Sequence, residues 1–202
     1  MDGDARRSVR AVGVAIYLAV AGLVASALAG SLVVDLTGAA SVAGEQVASS
    51  VGLGLGALAV TYFLIRWTDR DWSYVDVAVP DRADLAVAVG GAVALAGVLV
   101  GVEALYGALG IETASHGVAE AFRGGDRVVL AAAVATSVLF VGPAEELLYR
   151  NVVQKSLYGA LSRPTAVVVA SAVFATVHLP AYLTPGTTMA AARTASRMPI
   201  MK

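Results

Sequence analysis

The chain has 202 residues, of which 58% are hydrophobic and 14% are charged, and its formal net charge is −1. A typical soluble domain has about 25% charged residues, so this composition excludes an ordinary soluble globular protein and a disordered one. The near-neutral charge and the lack of a basic run argue against a nucleic-acid partner. The sequence contains no cysteine, which excludes disulfides, thiolate catalysis and cysteine-ligated metals.

Five stretches without Asp, Glu, Lys or Arg predict about five membrane-spanning helices. They cover residues 11–34, 46–65, 85–102, 128–144 and 164–192. About 20 apolar residues in a helix cross a hydrocarbon core of about 30 Å, and these stretches are apolar on every face. We therefore expect an all-α fold, a polytopic transmembrane helical bundle.

The first stretch has two interpretations. Basic residues precede it, and it contains the small-residue sequence Ala27-Leu28-Ala29, both of which are typical of a cleaved signal peptide. The apolar run nevertheless continues to Val34, which is a spanning length, and four more stretches follow. We therefore expect the first helix to be retained.

The distribution of Lys and Arg predicts a cytoplasmic N-terminus. In that orientation nine of these residues lie in inner segments and two lie in outer loops; the inner segments are 1–10, 66–84 and 150–163, and the outer loops are 35–45 and 106–127. We expect a multi-pass protein of the cell membrane. Three further basic residues lie beyond the fifth stretch, on the outer side, where they break the rule.

The fourth stretch runs without interruption into a cluster of charged residues. Gly142-Pro143 predicts a break or kink, after which Glu146 and Arg150 are four residues apart on one helical face, as in an ion pair. Glu145 is rotated by about 100° from Glu146, toward a different neighbour. Charges beside a span cost about 2.5–3.5 kcal/mol each, so they indicate a functional site. Alternatively, the two carboxylates mark the solvated cytoplasmic end of the helix.

His178 is the only histidine inside a predicted span, because the other, His116, falls in an outer loop. Phe174 lies four residues earlier on the same helical face, where it could form a wall of a site. Glu145 precedes His178 by one helix-to-helix step, so antiparallel packing would bring the two side chains together. A carboxylate beside an imidazole in a low-dielectric site suits a general base that activates water. Alternatively, His178 is a hydrogen-bonded packing residue.

Together the two motifs resemble those of a known family. Glu145, Glu146 and Arg150 form EExxxR, and Phe174 and His178 form FxxxH. In this order, in a small polytopic protein, they resemble the CPBP family of intramembrane proteases, which groups CAAX prenyl endopeptidases with bacteriocin-processing and bacteriocin-immunity proteins. The resemblance implies an all-helical bundle, with more spans than this chain has, and a site that faces the cytoplasm.

The resemblance also implies roles for the five motif residues. Glu145 would activate the attacking water with the help of His178, Glu146 and Arg150 would form a supporting ion pair, and Phe174 would wall the site. The family is often described as metalloproteases, but a glutamate-dependent mechanism is the alternative. Whether Glu145 and His178 hold a divalent metal such as zinc is left open by the sequence. One histidine and two carboxylates do not complete the usual set of three zinc ligands. The expected partners are the lipid bilayer and a peptide or protein substrate.

The chain departs from the family pattern after the second motif. A third motif, His followed four residues later by Asn or Asp, has no counterpart after His178. The basic segment 190–202 resembles a frameshifted or truncated end. We therefore expect an N-terminal helix and outer loop over 1–46, an incomplete protease domain over 47–189 and an atypical tail over 190–202. The resemblance implies that this third motif would supply an oxyanion donor. Loss of such a donor lowers rates by about 10²–10³, so we expect the activity of this chain to be impaired.

The sequence leaves three functions open. The first is an intramembrane endopeptidase of the CAAX-processing type. The second is a non-catalytic immunity or interaction protein on the same scaffold. The third is a proton-coupled transporter or channel subunit with Glu145 and Glu146 as relay groups, although no inverted repeat is visible in the sequence.

Overall fold

The structure, a computed structural model, describes residues 3–110 and 124–183. All regular structure in these two ranges is helical, which confirms the predicted all-α class. The five long helices are α1 (Gly3–Thr37), α2 (Val42–Trp67), α3 (Arg82–Leu109), α4 (Arg127–Leu157) and α5 (Arg163–Leu183). The predicted tail 190–202 and His116 lie outside the described residues.

Four of these helices are long and apolar enough to cross a membrane. They are α1 to α4, and the apolar part of α5, Arg163–Leu179, is shorter. The predicted polytopic helical bundle is thus confirmed, with four candidate spans and one shorter apolar helix in the described part of the chain.

The chain divides into two compact units. The first contains Met1–Val75 and Ser115–Lys202, with α1, α2, α4 and α5, and the second contains Asp76–Ala114, with α3. In the second unit, the Asp81 side chain accepts hydrogen bonds from the backbone of Ala83 and Asp84, while the Asp84 carboxylate accepts one from the Asp81 backbone. This capping box satisfies the free N–H groups at the start of α3.

In the first unit, α1 and α2 pack closely along a line of small residues, here called the α1–α2 seam: Ser26, Gly30, Gly52 and Gly56. A Cβ atom at Gly52 would lie 2.2 Å from the backbone of Gly30, and one at Gly56 would lie 2.3 Å from the backbone nitrogen of Ser26. The seam therefore requires glycine at both positions. Ser26 of α1 lies against Gly56 of α2, and Gly30 lies against Gly52, so the residue numbers rise along one helix as they fall along the other. The two helices are therefore antiparallel.

Helix α4 packs across α1 through a buried apolar face. Leu148 is 2% exposed and lies over Gly22, where a Cβ atom would approach its side chain to 2.3 Å. The same core contains the fully buried residues Val152, Val153, Leu157 and Ala166. Burial of this face fixes the rotation of α4 about its axis, and so decides which residues α4 presents to α5.

Of the break or kink predicted at Gly142-Pro143, the break does not occur, because α4 continues through both residues, but the local helix geometry changes there. The turn before the proline, Ser137–Val141, is widened to π-helical form, and the Gly142 N–H donates to the Ser137 carbonyl, five residues back. Because proline has no N–H, it removes one ordinary helical hydrogen bond, and the wider turn accommodates that loss. A second wide segment, Glu146–Gln154, follows.

The connection after α2 is fastened to the end of α4. Asp71 caps the single turn Trp72–Tyr74 and accepts hydrogen bonds from the backbone and hydroxyl of Ser73, which lower the pKa of the Asp71 carboxyl. The Lys155 ammonium donates to the Tyr74 carbonyl at 2.5 Å. This contact joins the connection to the helix that carries the charged motif.

Candidate functional site

Helices α4 and α5 form a hairpin, because only residues 158–162 separate them. Ser162 caps α5, with its hydroxyl accepting from the Thr165 N–H at 3.4 Å and its carbonyl accepting from the Ala166 N–H at 2.8 Å. The Ser8 hydroxyl of α1 donates to the Ala160 carbonyl in the turn at 3.4 Å. The two helices therefore run antiparallel, and residues at equal distances from the turn meet.

The hairpin brings Glu145 of α4 and His178 of α5 together. Oε1 of Glu145 lies 3.6 Å from Nε2 of His178, and each side chain is 33% exposed. This separation is too long for a direct hydrogen bond but short enough for one water molecule to touch both groups. The structure thus joins the two residues that the sequence picked out on separate helices, while their catalytic roles stay predictions.

A backbone contact determines which nitrogen of His178 faces Glu145. Nδ1 lies 2.8 Å from the carbonyl oxygen of Phe174, one helical turn earlier. A carbonyl oxygen only accepts hydrogen bonds, so Nδ1 carries the proton. In the neutral imidazole Nε2 is then an acceptor, and it is directed at the carboxylate.

The neighbouring carboxylate, Glu146, has a different partner. Its Oε2 lies 3.2 Å from Nη1 of Arg150, and the two side chains are 61% and 69% exposed. Exposed pairs four residues apart contribute about 0.3–0.5 kcal/mol to stability. Adjacent acids are thus separated by the rotation of the helix: one pairs along α4 and the other is directed at α5.

Three aromatic rings contact one another beside His178. The Phe174 ring lies 4.1 Å from the His178 ring, the Tyr149 ring meets Phe174 edge-on at 4.8 Å, and Tyr149 lies 5.9 Å from His178. Tyr149 is absent from the set of site residues predicted from sequence. Its spacing is the signal that identifies it, because it follows Glu145 by four residues and so shares its helical face.

A cavity of about 550 Å³, here called the α4–α5 groove, extends from these residues toward the hairpin turn. This volume lies within the range of about 300–1,000 Å³ typical of ligand sites. Its lining residues are Gly142, Glu145, Glu146, Tyr149, Arg150, Gln154, Val167, Ala170, Ser171 and Phe174. One wall, from α4, is mainly charged or polar, and the other, from α5, is mainly small or apolar.

The described residues do not form a complete metal site. Glu145 and His178 supply two donor groups, and the Glu146 carboxylate is directed at Arg150 instead. No group of three or more His, Cys, Asp or Glu side chains suited to a metal occurs in the described ranges. Structural zinc takes four protein ligands and catalytic zinc three, so the donors described here do not fit zinc by themselves.

Comparison with known proteins identifies the segment that contains this site. The family model described as "Type II CAAX prenyl endopeptidase Rce1-like" matches residues 127–197, which include α4, α5 and both motifs. No curated protein and no solved structure matches the chain. The resemblance to CAAX endopeptidases inferred from the motifs is thereby confirmed for this segment, and the family supports a membrane protein of protease type. The predicted domain boundaries stay predictions.

Proposed function

We propose that this chain is an intramembrane endopeptidase of the CAAX-processing type, which cleaves membrane-associated peptides or proteins with water activated by Glu145. The observation that carries the proposal is the approach of Glu145 and His178 to 3.6 Å at the groove, within the segment that is similar to type II CAAX prenyl endopeptidases. Either motif alone would be a weak indication. Because residues of the two motifs meet across two helices, Glu145 and His178 can act on the same water molecule.

The proposed reaction is hydrolysis of a peptide bond. The Glu145 carboxylate takes a proton from the water, and the resulting hydroxide attacks the scissile carbonyl carbon. The C–N bond then breaks, and the departing amine takes the proton back from Glu145. The products are a new C-terminal carboxylate and a free amine. His178 accepts a hydrogen bond from the water through Nε2, because Nδ1–H is already donated to the Phe174 carbonyl.

The neighbouring ion pair supports this arrangement. Two ionised carboxylates at adjacent positions repel each other, and Arg150, 3.2 Å from Glu146, offsets the charge of the one that does not react. Glu145 is then the acid that faces the groove and the imidazole. Phe174 walls the same site and covers one side of the His178 ring.

The orientation of the chain determines which compartment supplies the substrate. The excess of Lys and Arg, nine residues against two, favours a cytoplasmic N-terminus in the cell membrane. The α4–α5 turn lies in the inner segment 150–163, so the groove opens toward the cytoplasmic side. Substrates anchored at the inner face of the membrane would reach it.

The test is cleavage by the purified full chain in proteoliposomes, measured with a quenched fluorescent farnesylated peptide that ends in a CAAX sequence. Glu145→Gln keeps the shape of the side chain and removes the base, so kcat should fall by about 10²-fold or more. Glu45→Gln is the matched control, since it makes the same change in the first turn of α2, away from the groove. The control should cleave like the wild type.

Two results would contradict the proposal. Equal cleavage by the wild type and the Glu145→Gln and His178→Ala variants would show that the pair is not the catalytic centre. Because impaired activity is expected, the assay must detect rates about 10³-fold below those of an enzyme with an intact oxyanion donor. Absence of cleavage at that sensitivity by a folded wild-type chain, verified by a cooperative thermal transition, would favour a non-catalytic interaction protein on the same scaffold.

A further inference from the structure

The ring of Tyr149 touches both aromatic partners at the site. It meets Phe174 edge-on, with 4.8 Å between ring centres and an interplanar angle of 82°, and it lies 5.9 Å from the His178 ring at 52°. Phe174 and His178 are themselves 4.1 Å apart at 31°. The three rings therefore form one mutually contacting cluster in which His178 has an aromatic neighbour from each helix.

We propose that Tyr149 is a positioning residue, whose ring holds His178 with Nε2 directed at Glu145. This inference rests on the proposed function for its kinetic consequence, but not for its structural one. The proposed role belongs to the ring, because the contacts that join Tyr149 to Phe174 and to His178 are ring-to-ring contacts.

The hydrogen bond of His178 is not sufficient to fix its orientation. Nδ1 donates to the Phe174 carbonyl at 2.8 Å, and a ring held by one such bond can still tilt about it. Tilting would move Nε2 away from Glu145, which it approaches to only 3.6 Å. Phe174 belongs to the same helix as His178, so it cannot by itself set the position of the imidazole relative to α4. Tyr149 belongs to α4 and can.

The placement of Tyr149 makes it suited to this role. It follows Glu145 by four residues, so the carboxylate and the positioning ring project from one face of one helix. The next residue toward the core, Leu148, is 2% exposed and fixes the rotation of α4 at this turn. Because α4 is held in place at this turn, the Tyr149 ring is a fixed surface against which the His178 imidazole packs.

The kinetic test compares two substitutions that separate the contribution of the Tyr149 ring from that of its hydroxyl. Tyr149→Phe keeps the ring contacts, and its kcat should stay within about twofold of wild type, whereas Tyr149→Leu should lower kcat about tenfold with KM changed less than about twofold. Tyr17→Leu is the control, because Tyr17 is 71% exposed on α1. A loss in Tyr149→Phe equal to that in Tyr149→Leu, or a rise in KM at constant kcat, would overturn the proposal.

A spectroscopic test is independent of cleavage. The chain has two histidines, so 15N-histidine labelling of a His116→Gln background reports His178 alone. Nδ1 should stay protonated in wild type, Tyr149→Phe and Tyr149→Leu, because its hydrogen bond to the Phe174 carbonyl does not involve Tyr149. The Nε2 resonance should be sharp and alike in wild type and Tyr149→Phe, and shifted or broadened in Tyr149→Leu, because a tilted ring moves Nε2 away from the Glu145 carboxylate. An unchanged Nε2 resonance in Tyr149→Leu would refute the positioning role. If the Nε2 resonance changes as expected but the wild type cleaves nothing, the proposed function fails and the positioning role survives.

Discussion

The α1–α2 seam and the α4–α5 groove are both formed by antiparallel helix pairs, yet they are packed in opposite ways. At the seam, Gly52 and Gly56 allow the two backbones to approach until no Cβ atom would fit. At the groove, the charged and polar side chains of α4 face the small or apolar side chains of α5 across a cavity of about 550 Å³. Within one unit of the chain, one helix pair thus forms a close contact that stabilises the bundle, and another leaves a space that can admit a ligand.

The chemistry of the two regions differs in the same sense. Small residues in a membrane helix contribute by close van der Waals contact, and the Ser26 hydroxyl at the seam is satisfied by the Leu53 carbonyl at 3.3 Å. The groove instead keeps an acid, an imidazole and an ion pair partly exposed. Charged groups are costly inside a membrane and are therefore rare there unless they serve a function. The polar side chains thus favour a functional role for the groove, and the close packing favours a stabilising role for the seam.

The largest effect on stability is expected at the seam. Gly56→Ala would place a Cβ atom 2.3 Å from the Ser26 backbone nitrogen, and backbone cannot move aside as a flexible side chain can. Overpacking of this kind costs about 1–3 kcal/mol, which thermal unfolding in detergent would measure. Gly54→Ala, on the same helix, is the control.

At Gly54 a Cβ atom would meet only the Phe140 ring, at 4.0 Å, among the described residues. Alanine is the better helix former, so Gly54→Ala should raise stability by about 0.5–1 kcal/mol. Equal losses at positions 54 and 56 would mean that the close approach at the seam is not what stabilises the pair.

The groove should tolerate a larger residue that the seam would not. Ser171 is exposed and lines the groove, so Ser171→Leu should change stability by less than about 0.5 kcal/mol but lower kcat/KM about tenfold, because it fills space that the substrate needs. Val168→Leu, at a 68% exposed position outside the groove lining, should alter neither quantity. Unfolding of Ser171→Leu would instead identify the groove as packed core.

The smallest effect is expected at the exposed ion pair. Glu146→Gln should cost about 0.3–0.5 kcal/mol of stability, and Arg150→Gln should cost the same, because both remove one interaction. The double variant should be no less stable than either single one. Peptide cleavage by Glu146→Gln should fall far less than cleavage by Glu145→Gln. Equal losses of cleavage would mean that the two neighbouring acids have not been assigned correctly.

Contacts between residues four apart in one helix were predictable from the sequence, whereas between helices the sequence predicted only that Glu145 and His178 would meet if their helices packed antiparallel. The four-residue spacing of Glu146 and Arg150 predicts their contact, since helical periodicity alone decides it. The same periodicity could have identified Tyr149 but not its contact with Phe174. Gly142-Pro143 shows a second limit of prediction from sequence. Proline predicts the loss of one helical hydrogen bond, but not that the preceding turn of α4 would widen and let the helix continue.

By itself, the sequence determined that this chain is an all-helical membrane protein, because charge-free stretches of spanning length leave no other stable solution. It also determined that Glu145 and His178 lie on successive helices. Only the tertiary structure decided that they approach to 3.6 Å, because that distance depends on the register of α5 against α4. That register depends on the volumes of the side chains that the two helices bury in the common core, such as Val153 and Leu157 of α4 with Ala166 and Ala170 of α5, which no local pattern encodes.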